Sequence, residues 1–321
     1  MTFWTGKNVA VTGGAGFIGS WLCKGLADAG ANVFAMDLHD RGLKIHGLAN
    51  VQYLNCDIRD AHAMQQALGY HEIEYVFHLG AQAIVTVANR APALTLDTNI
   101  RGTCNVLEAA RTLGTIKGIV IASSDKAYGE HETLPYSEEA PLIGRHPYDV
   151  SKSCTDLLAQ AYHKTYKLPV AITRNGNVYG GGDVNWSRII PGTIRSVLQG
   201  ERPIIRSDGS PTRDYVYVKD IVNAYMLVGE NISKTAGHAF NFGYNDPKSV
   251  LQIANLLLKA ADSALEPVVQ GNAPNEIQNQ YLSSEKARSV LGWKPQYGLD
   301  AGLKETIAWY RDYFGKTTRQ V

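Results

Sequence analysis

The chain has 321 residues, 45% of them apolar, enough to bury a sizeable core and, at roughly 150 residues each, to form about two lobes. Lys and Arg total 31 against 30 for Asp and Glu, a formal net charge of +1 with no basic run, so the electrostatic footprint of a nucleic-acid binder is absent. No apolar stretch reaches the roughly 18 residues of a membrane span, and "MTFWTGKNVAVTGG" runs into a strand and a glycine loop without a signal-peptide core; the expectation is a soluble, cytoplasmic protein with no membrane partner.

In chain order, short β-rich runs occur at "NVAVT" (8–12), "NVFAMD" (32–37), "VQYLNCD" (51–57), "YVFHLG" (75–80), "GIVIASS" (118–124) and "PVAITRNG" (169–176), with helical periodicity between them. Strands alternating with helices imply right-handed crossovers. The predicted class is therefore α/β, a doubly wound parallel sheet with helices on both faces. From about residue 180 the spacing turns irregular, with a short strand at "RPIIR" and amphipathic helices near 247–261 and 299–314. That predicts a smaller mixed α/β C-terminal lobe, residues 181–321, sharing a cleft with residues 1–180. Cys23, Cys56, Cys104 and Cys154 lie far apart with no C-x-x-C pair, which matches neither a zinc site nor a disulfide framework. They read as buried thiols in a reducing compartment. No histidines show metal-ligand spacing, and no metal is expected.

The first motif is "VTGGAGFIGSWL". Gly13, Gly16 and Gly19, with Phe17 and Ile18 between them, follow one strand and open a helix. Glycines there permit a tight turn, close approach of a pyrophosphate and close helix packing, and the helix N-terminus offers unpaired N–H groups. Such loops also occur as plain turns, but Asp37 at the end of the second strand has the spacing of a ribose-binding acid. The reading is a Rossmann dinucleotide site that takes NAD rather than NADP, with nearby Arg41 the one opposing signal. In "NCDIRD", Asp57 and Ile58 either meet the adenine or, equally, Asp57 or Asp60 caps a helix.

The second motif is "PYDVSKSC", where Tyr148 and Lys152 lie four apart on one helix face. The ammonium is expected near the phenol, lowering its pKa so that phenolate serves as general base for a sugar hydroxyl. Position lifts this above chance spacing, because a strand ending in Ser123 and Ser124 precedes it. His78, ending a buried-looking strand, reads as a hydrogen-bonded core or cofactor-loop residue rather than a catalyst.

With "TGGAGFIG", "FHLGAQ", "TNIRGT", "SSDKAYG", "PYDVSK", "RNGNVYGGGD", "RDYVYVKD" and "LGWKP" in order, nearly the whole chain resembles the extended short-chain dehydrogenase/reductases that act on nucleotide sugars. The resemblance implies Ser124, Tyr148 and Lys152 as the catalytic set and Asn99 near the NAD. It implies Asn177 and Arg213 as contacts to a nucleotide-sugar diphosphate, with Glu276 and Tyr281 as further candidates; Arg188, Arg195 and Arg206 join them because Arg suits two-pronged diphosphate contact, although any single Arg is more often a surface residue. "ASSDKAYG" places Asp125 and Lys126 after the strand, the pattern of CDP-glucose 4,6-dehydratase-like members. There Lys126 would remove the carbon 5 proton and Asp125 would protonate the departing carbon 6 hydroxyl. Burial favours the neutral forms both roles need, and mutual attraction opposes them. Either the pair is held apart or one partner has another role; a solvated ion pair capping the strand is the plain alternative. The implied activity is an NAD-dependent nucleotide-sugar 4,6-dehydratase, with a 4-epimerase and a non-catalytic NAD or sugar-nucleotide binder as alternatives. Helices near 89–113 and 147–166 would pair in a four-helix bundle to make a homodimer.

Overall fold

The computed structural model describes residues 1–272 and 277–318. The strands, in order, are β1 (Asn8–Thr12), β2 (Asn32–Asp37), β3 (Gln52–Asn55), β4 (Tyr75–His78), β5 (Gly118–Ala122) and β6 (Val170–Asn175). The second half adds β7 (Asn177–Tyr179), β8 (Ile204–Ile205), β9 (Thr212–Arg213), β10 (Tyr215–Tyr217), β11 (Ala239–Phe242), β12 (Lys248–Ser249), β13 (Val268–Val269) and β14 (Asn279–Gln280). Seven form one parallel sheet in the order β11-β6-β5-β4-β1-β2-β3. The pairing runs outward in both directions from β1 and β4, which opens a crevice at their carboxyl ends.

The strand sequences explain this burial. Val9 and Val11 pack on one face of the sheet with Val33, Ala35, Phe77, Val120 and Ala171, while Ala10, Met36, Val76, Ile119, Ile121, Val170 and Ile172 pack on the other. Residues alternate faces with period two, so strands apolar at nearly every position must be covered on both sides. The first face carries helices Phe17–Asp28 and Val218–Glu230, and the second carries Ala61–Tyr70, Gly102–Leu113 and Pro147–Tyr166. Register brings Thr12 opposite both Met36 and His78, and Ala122 opposite Thr173. The carboxyl ends of the strands therefore finish nearly level, at the edge where the motifs lie.

Five expectations need correction. The boundary at residue 180 is not a clean cut, because β11 pairs with β6 and helix Val218–Glu230 packs under the first helix. A further parallel strand covers the edge that β6 would otherwise expose. The third strand is shorter than 51–57, since Asp57 accepts from the Arg59 amide and starts a turn, and "RPIIR" keeps only Ile204–Ile205. The single helix over 89–113 is broken at Pro92, and a π-helical turn at Asp97–Arg101 precedes Gly102–Leu113. All four cysteines are free thiols, but only Cys23 and Cys56 are buried; Cys104 and Cys154 are half-buried.

A smaller core, with Tyr179, Ile190, Ile194, Tyr217, Leu257, Leu303 and Tyr310, holds the second lobe together. Its strands are short: β7 with β10, β9 between β12 and β14, and β8 with β13.

Under the second motif, Asp156 and Arg174 form a two-pronged ion pair, 2.7 Å at Nε and 3.0 Å at the second prong. Their side chains are 0% and 3% exposed. Arg174 also donates to the Tyr128 hydroxyl at 2.8 Å and the Glu138 carbonyl at 3.1 Å, and Tyr128 donates to Asn241 Oδ1 at 2.7 Å. Asp156→Ala, which strands a buried guanidinium, is expected to lower the unfolding free energy by about 3–5 kcal/mol in urea titrations. The double variant Asp156→Leu/Arg174→Met should lose less; a loss under about 1 kcal/mol for the single variant would reduce the pair to surface-bridge rank.

Candidate active site

The glycine loop is built by close contact. Gly13 has φ +67°, and a Cβ there would lie 2.8 Å from the Gly80 nitrogen. A Cβ at Gly19 would lie 2.0 Å from the Gly13 carbonyl oxygen, so only glycine lets the helix meet the loop. Gly16 is the N-cap and supplies no side-chain cap, which leaves the first-turn amides of Phe17–Asp28 uncapped by any side chain. Phe17 packs toward the second-lobe core and Ile18 toward the first. Asp37 accepts from the Ala15 amide at 3.1 Å and the Leu38 amide at 2.8 Å, tying the loop to β2 while its carboxylate remains half-exposed. The donor set and cradle therefore fit a dinucleotide.

At the next strand end the two readings of "NCDIRD" separate. Asp60, not Asp57, caps helix Ala61–Tyr70 through the Ala63 amide at 2.9 Å. Asp57 pairs with Arg59 at 2.6 Å, and that hydrogen bond holds its carboxyl below the usual range. Ile58 is buried, with its carbonyl accepting from Asn105 at 2.9 Å. Asn99, buried on the π-helical turn, donates to Ser151 Oγ at 2.8 Å and to the Gln82 carbonyl at 3.1 Å, and accepts from the Gln82 amide at 2.7 Å. All its amide groups are engaged within the protein, so it orders the 80–82 loop from behind.

Ser124 caps the 3-10 turn Asp125–Tyr128, accepting from the Lys126 amide at 3.2 Å and donating to Asp125 Oδ1 at 3.0 Å. Asp125 is 3% exposed, and its Oδ2 has no hydrogen-bond partner. Burial raises its carboxyl above the usual range, against the lowering charges of Lys126 and Arg213 and the Ser124 hydrogen bond. The amine of Lys126 donates to Gln280 Oε1. The pair is thus a buried carboxyl beside a half-buried lysine, not a solvated cap.

The expected Lys152-to-phenol effect is corrected. Lys152 reaches down to the Ala122 carbonyl at 2.7 Å, and burial pushes its amine to about 8, with Asp156 opposing. Burial pushes the Tyr148 phenol up to about 12, with Arg188 and Ser124 pulling it back. Desolvation is the largest influence on the phenol, and the charge that pulls it back is that of Arg188 rather than Lys152.

Among the arginines, Arg213 is buried on β9, donates to the Thr212 carbonyl at 2.8 Å, and acts on Asp125. Arg188 pairs with Asp183 at 2.9 Å and acts on Tyr148. Arg206 is exposed and donates to the Ser187 carbonyl at 3.0 Å; Arg195 is exposed, 5.5 Å from the Trp186 ring. Asn177 begins β7, its amide donating to the Asp214 carbonyl at 2.7 Å beside Arg213. The Tyr281 carbonyl accepts from the Tyr136 amide at 3.0 Å. Glu276 lies outside the described residues.

Two residues of this neighbourhood escaped the sequence reading. Asp149 is buried, and burial raises its carboxyl against the charge of Lys126; its place within "PYDVSK" was the available signal. Gln280 is fully buried, and no local pattern marks it. A surface concavity of about 750 Å³ lined by Tyr53, Gln66 and Tyr70 lies at the outer sheet edge, remote from these groups, and carries none of this chemistry. Among the described residues, no group of three His, Cys, Asp or Glu side chains could hold a metal, and no helix is long and apolar enough to cross a membrane.

A glycine cradle at the crevice of a parallel sheet, with Ser, Tyr and Lys converging one strand away, defines an extended short-chain dehydrogenase/reductase. The chain belongs to the family described as GDP-mannose 4,6 dehydratase, whose model matches residues 10–306. It is 33% identical to CDP-glucose 4,6-dehydratase of Salmonella typhimurium, over 96% of this chain and 92% of that protein. UDP-glucose 4-epimerase of Thermotoga maritima, solved with UDP-glucose, superposes with TM-score 0.90 at 33% identity, covering 96% of this chain and 99% of that one. The dTDP-glucose 4,6-dehydratase of Streptomyces venezuelae, solved with NAD, superposes with TM-score 0.86 at 28% identity, covering 96% and 98%. The chain is therefore a member of the nucleotide-sugar dehydratase and epimerase superfamily.

His78 lies behind the site, 2% exposed, as the expected core residue. Thr103 donates to the Asn99 carbonyl, so it accepts from His78 Nε2 at 3.0 Å, and Nδ1 then accepts from Thr12 at 2.7 Å. Burial, with the Lys152 charge, lowers its pKa from 6.5 to about 3. The unfolded chain binds this proton below 6.5 and the folded chain only near 3, so stability falls as pH drops through that window. The contribution is about 1.4 kcal/mol per pH unit. His78→Gln should flatten that slope in urea unfolding at stepped pH; an unchanged slope would assign the acid sensitivity elsewhere.

Proposed function

We propose that the protein is an NAD-dependent nucleotide-sugar 4,6-dehydratase acting on a CDP-glucose-like hexose in the cytoplasm, where free thiols persist. The observation that carries this reading is the buried Asp125 carboxyl, raised by desolvation and with one oxygen unpartnered, directly beside Lys126. Epimerisation at carbon 4 has no need of such a pair.

In this reading residues 1–180 hold the NAD and residues 181–321 the nucleotide sugar. Gly13, Gly16 and Gly19 with the amides of Phe17 and Ile18 cradle the pyrophosphate, Asp37 accepts from the ribose hydroxyls, and Asp57 and Ile58 border the adenine. When bound, NAD would accept hydride from carbon 4 and return it to carbon 6. Tyr148, in its phenolate form and with Ser124 and Lys152, takes the carbon 4 hydroxyl proton; the positive charge of a bound nicotinamide would favour that form over the high phenol of the chain alone. The resulting ketone acidifies carbon 5, whose proton passes to Lys126, and Asp125 donates a proton to the departing carbon 6 hydroxyl. Arg213, Arg188 and Asn177 hold the diphosphate, Arg suiting a two-pronged phosphate contact; Arg206, Glu276 and Tyr281 complete the nucleotide side. Two copies pair through helices Gly102–Leu113 and Pro147–Tyr166, the second of which leaves Leu157 54% exposed. The second reading, a 4-epimerase, is favoured by the Thermotoga maritima likeness at the same 33% identity.

Mass spectra after incubation with CDP-, dTDP-, GDP- and UDP-hexoses, with and without NAD, decide between them. Loss of one water supports the dehydratase and names its nucleotide; unchanged mass with a new isomer supports the epimerase. In the dehydratase, Lys126→Ala should cut water loss by at least about 100-fold while substrate still reduces bound NAD. Undiminished water loss would remove Lys126 as the base.

A further inference from the structure

Gln280 sits on β14 and is 0% exposed. Its register partner on β9 is Arg213. The Gln280 side chain crosses from this strand pair to the turn after β5 and meets both charged residues of that turn. Oε1 accepts from the Lys126 amine, and Nε2 donates to the Asp125 carbonyl at 3.1 Å. A carbonyl only accepts, so the Asp125 contact assigns Nε2 to it and leaves Oε1 for the Lys126 amine. Asp125 Oδ1 is taken by Ser124, while Oδ2, also buried, has no hydrogen-bond partner. That oxygen is an unused buried acceptor in the same turn as Lys126. An amine seated on it would hold Lys126 as ammonium and Asp125 as carboxylate, the reverse of the forms that elimination requires.

We infer that Gln280 is a positioning residue: its buried amide keeps the Lys126 amine off the Asp125 carboxyl and ties both to the strand pair that carries Arg213. The roles of base and acid rest on the function proposed above; the contacts do not. Other groups around the pair include Asp149, from helix Pro147–Tyr166, whose carboxyl feels the Lys126 charge, and Arg213, whose charge reaches Asp125. Both are present with or without the Gln280 amide, so they do not mimic its removal. Because β14 and β9 share one register, a ligand that engages Arg213 also sets Gln280, which links occupancy of the second lobe to the placement of Lys126.

The test follows the Lys126 amine directly, without turnover. The full chain and its Gln280→Met variant, checked for folding by thermal melting, are acetylated with trace acetic anhydride across a pH series, and the Lys126 peptide is quantified by mass spectrometry. With the amide gone the amine turns to Asp125, and its titration should rise by about one unit or more. A titration that stays put or moves down overturns the inference. If Gln280→Met does not fold, Gln280→Glu carries the same test: a carboxylate against the amine raises its titration, and no rise means that Gln280 does not hold it. A rise in a protein whose parent releases no water from any nucleotide hexose would sink the dehydratase reading and leave the positioning role standing.

Discussion

The site depends on one buried interaction, the two-pronged pair between Asp156 and Arg174. It pins helix Pro147–Tyr166 to β6, and Tyr128 on the same guanidinium pins the turn after β5 to both. Tyr148 and Lys152 ride on that helix, and Ser124, Asp125 and Lys126 belong to that turn. Two elements distant in sequence are thereby held in one relation. Arg is suited to this because its planar fork satisfies carboxylate, hydroxyl and carbonyl together, which a lysine cannot do. Asn241 extends the network from Tyr128 to β11, so the strand that closes the sheet also braces the turn.

Desolvation governs the electrostatics above this support. It raises Asp125, Asp149 and Tyr148 and lowers Lys152 and His78, in each case as the largest influence. Cationic neighbours act in the opposite sense on the carboxyls and the phenol, and lose. A site of this kind favours neutral acids and bases near neutral pH, the condition for proton transfer in both directions during one turnover. Gln280 belongs to the same logic, since a neutral amide can hold a lysine without drawing it toward the charged form as strongly as a carboxylate would.

Much of this was legible in the sequence. The strand runs, the glycine spacing and Asp37 specify a doubly wound sheet and its loop because their causes are local: period-two burial, a positive φ at Gly13, and the contact at Gly19 that excludes a Cβ. The Asp125–Lys126 turn and the Tyr148–Lys152 face were equally local. Asp60 rather than Asp57 as the helix cap was left open, because both residues offer the same carboxylate and only the paths of Arg59 and Ala63 choose between them.

The sequence by itself determined which elements form and which side chains meet within a turn or a helix face, since these follow from backbone periodicity and contacts a few residues apart. Tertiary structure alone decided that β11 returns to the first lobe's sheet, that Lys152 reaches Ala122 while burial holds the Tyr148 phenol high, and that Gln280 stands 154 positions from Lys126 yet accepts from its amine. The physical reason is shared. Desolvation and long-range hydrogen bonds depend on what surrounds a group in space, and chain spacing does not encode that.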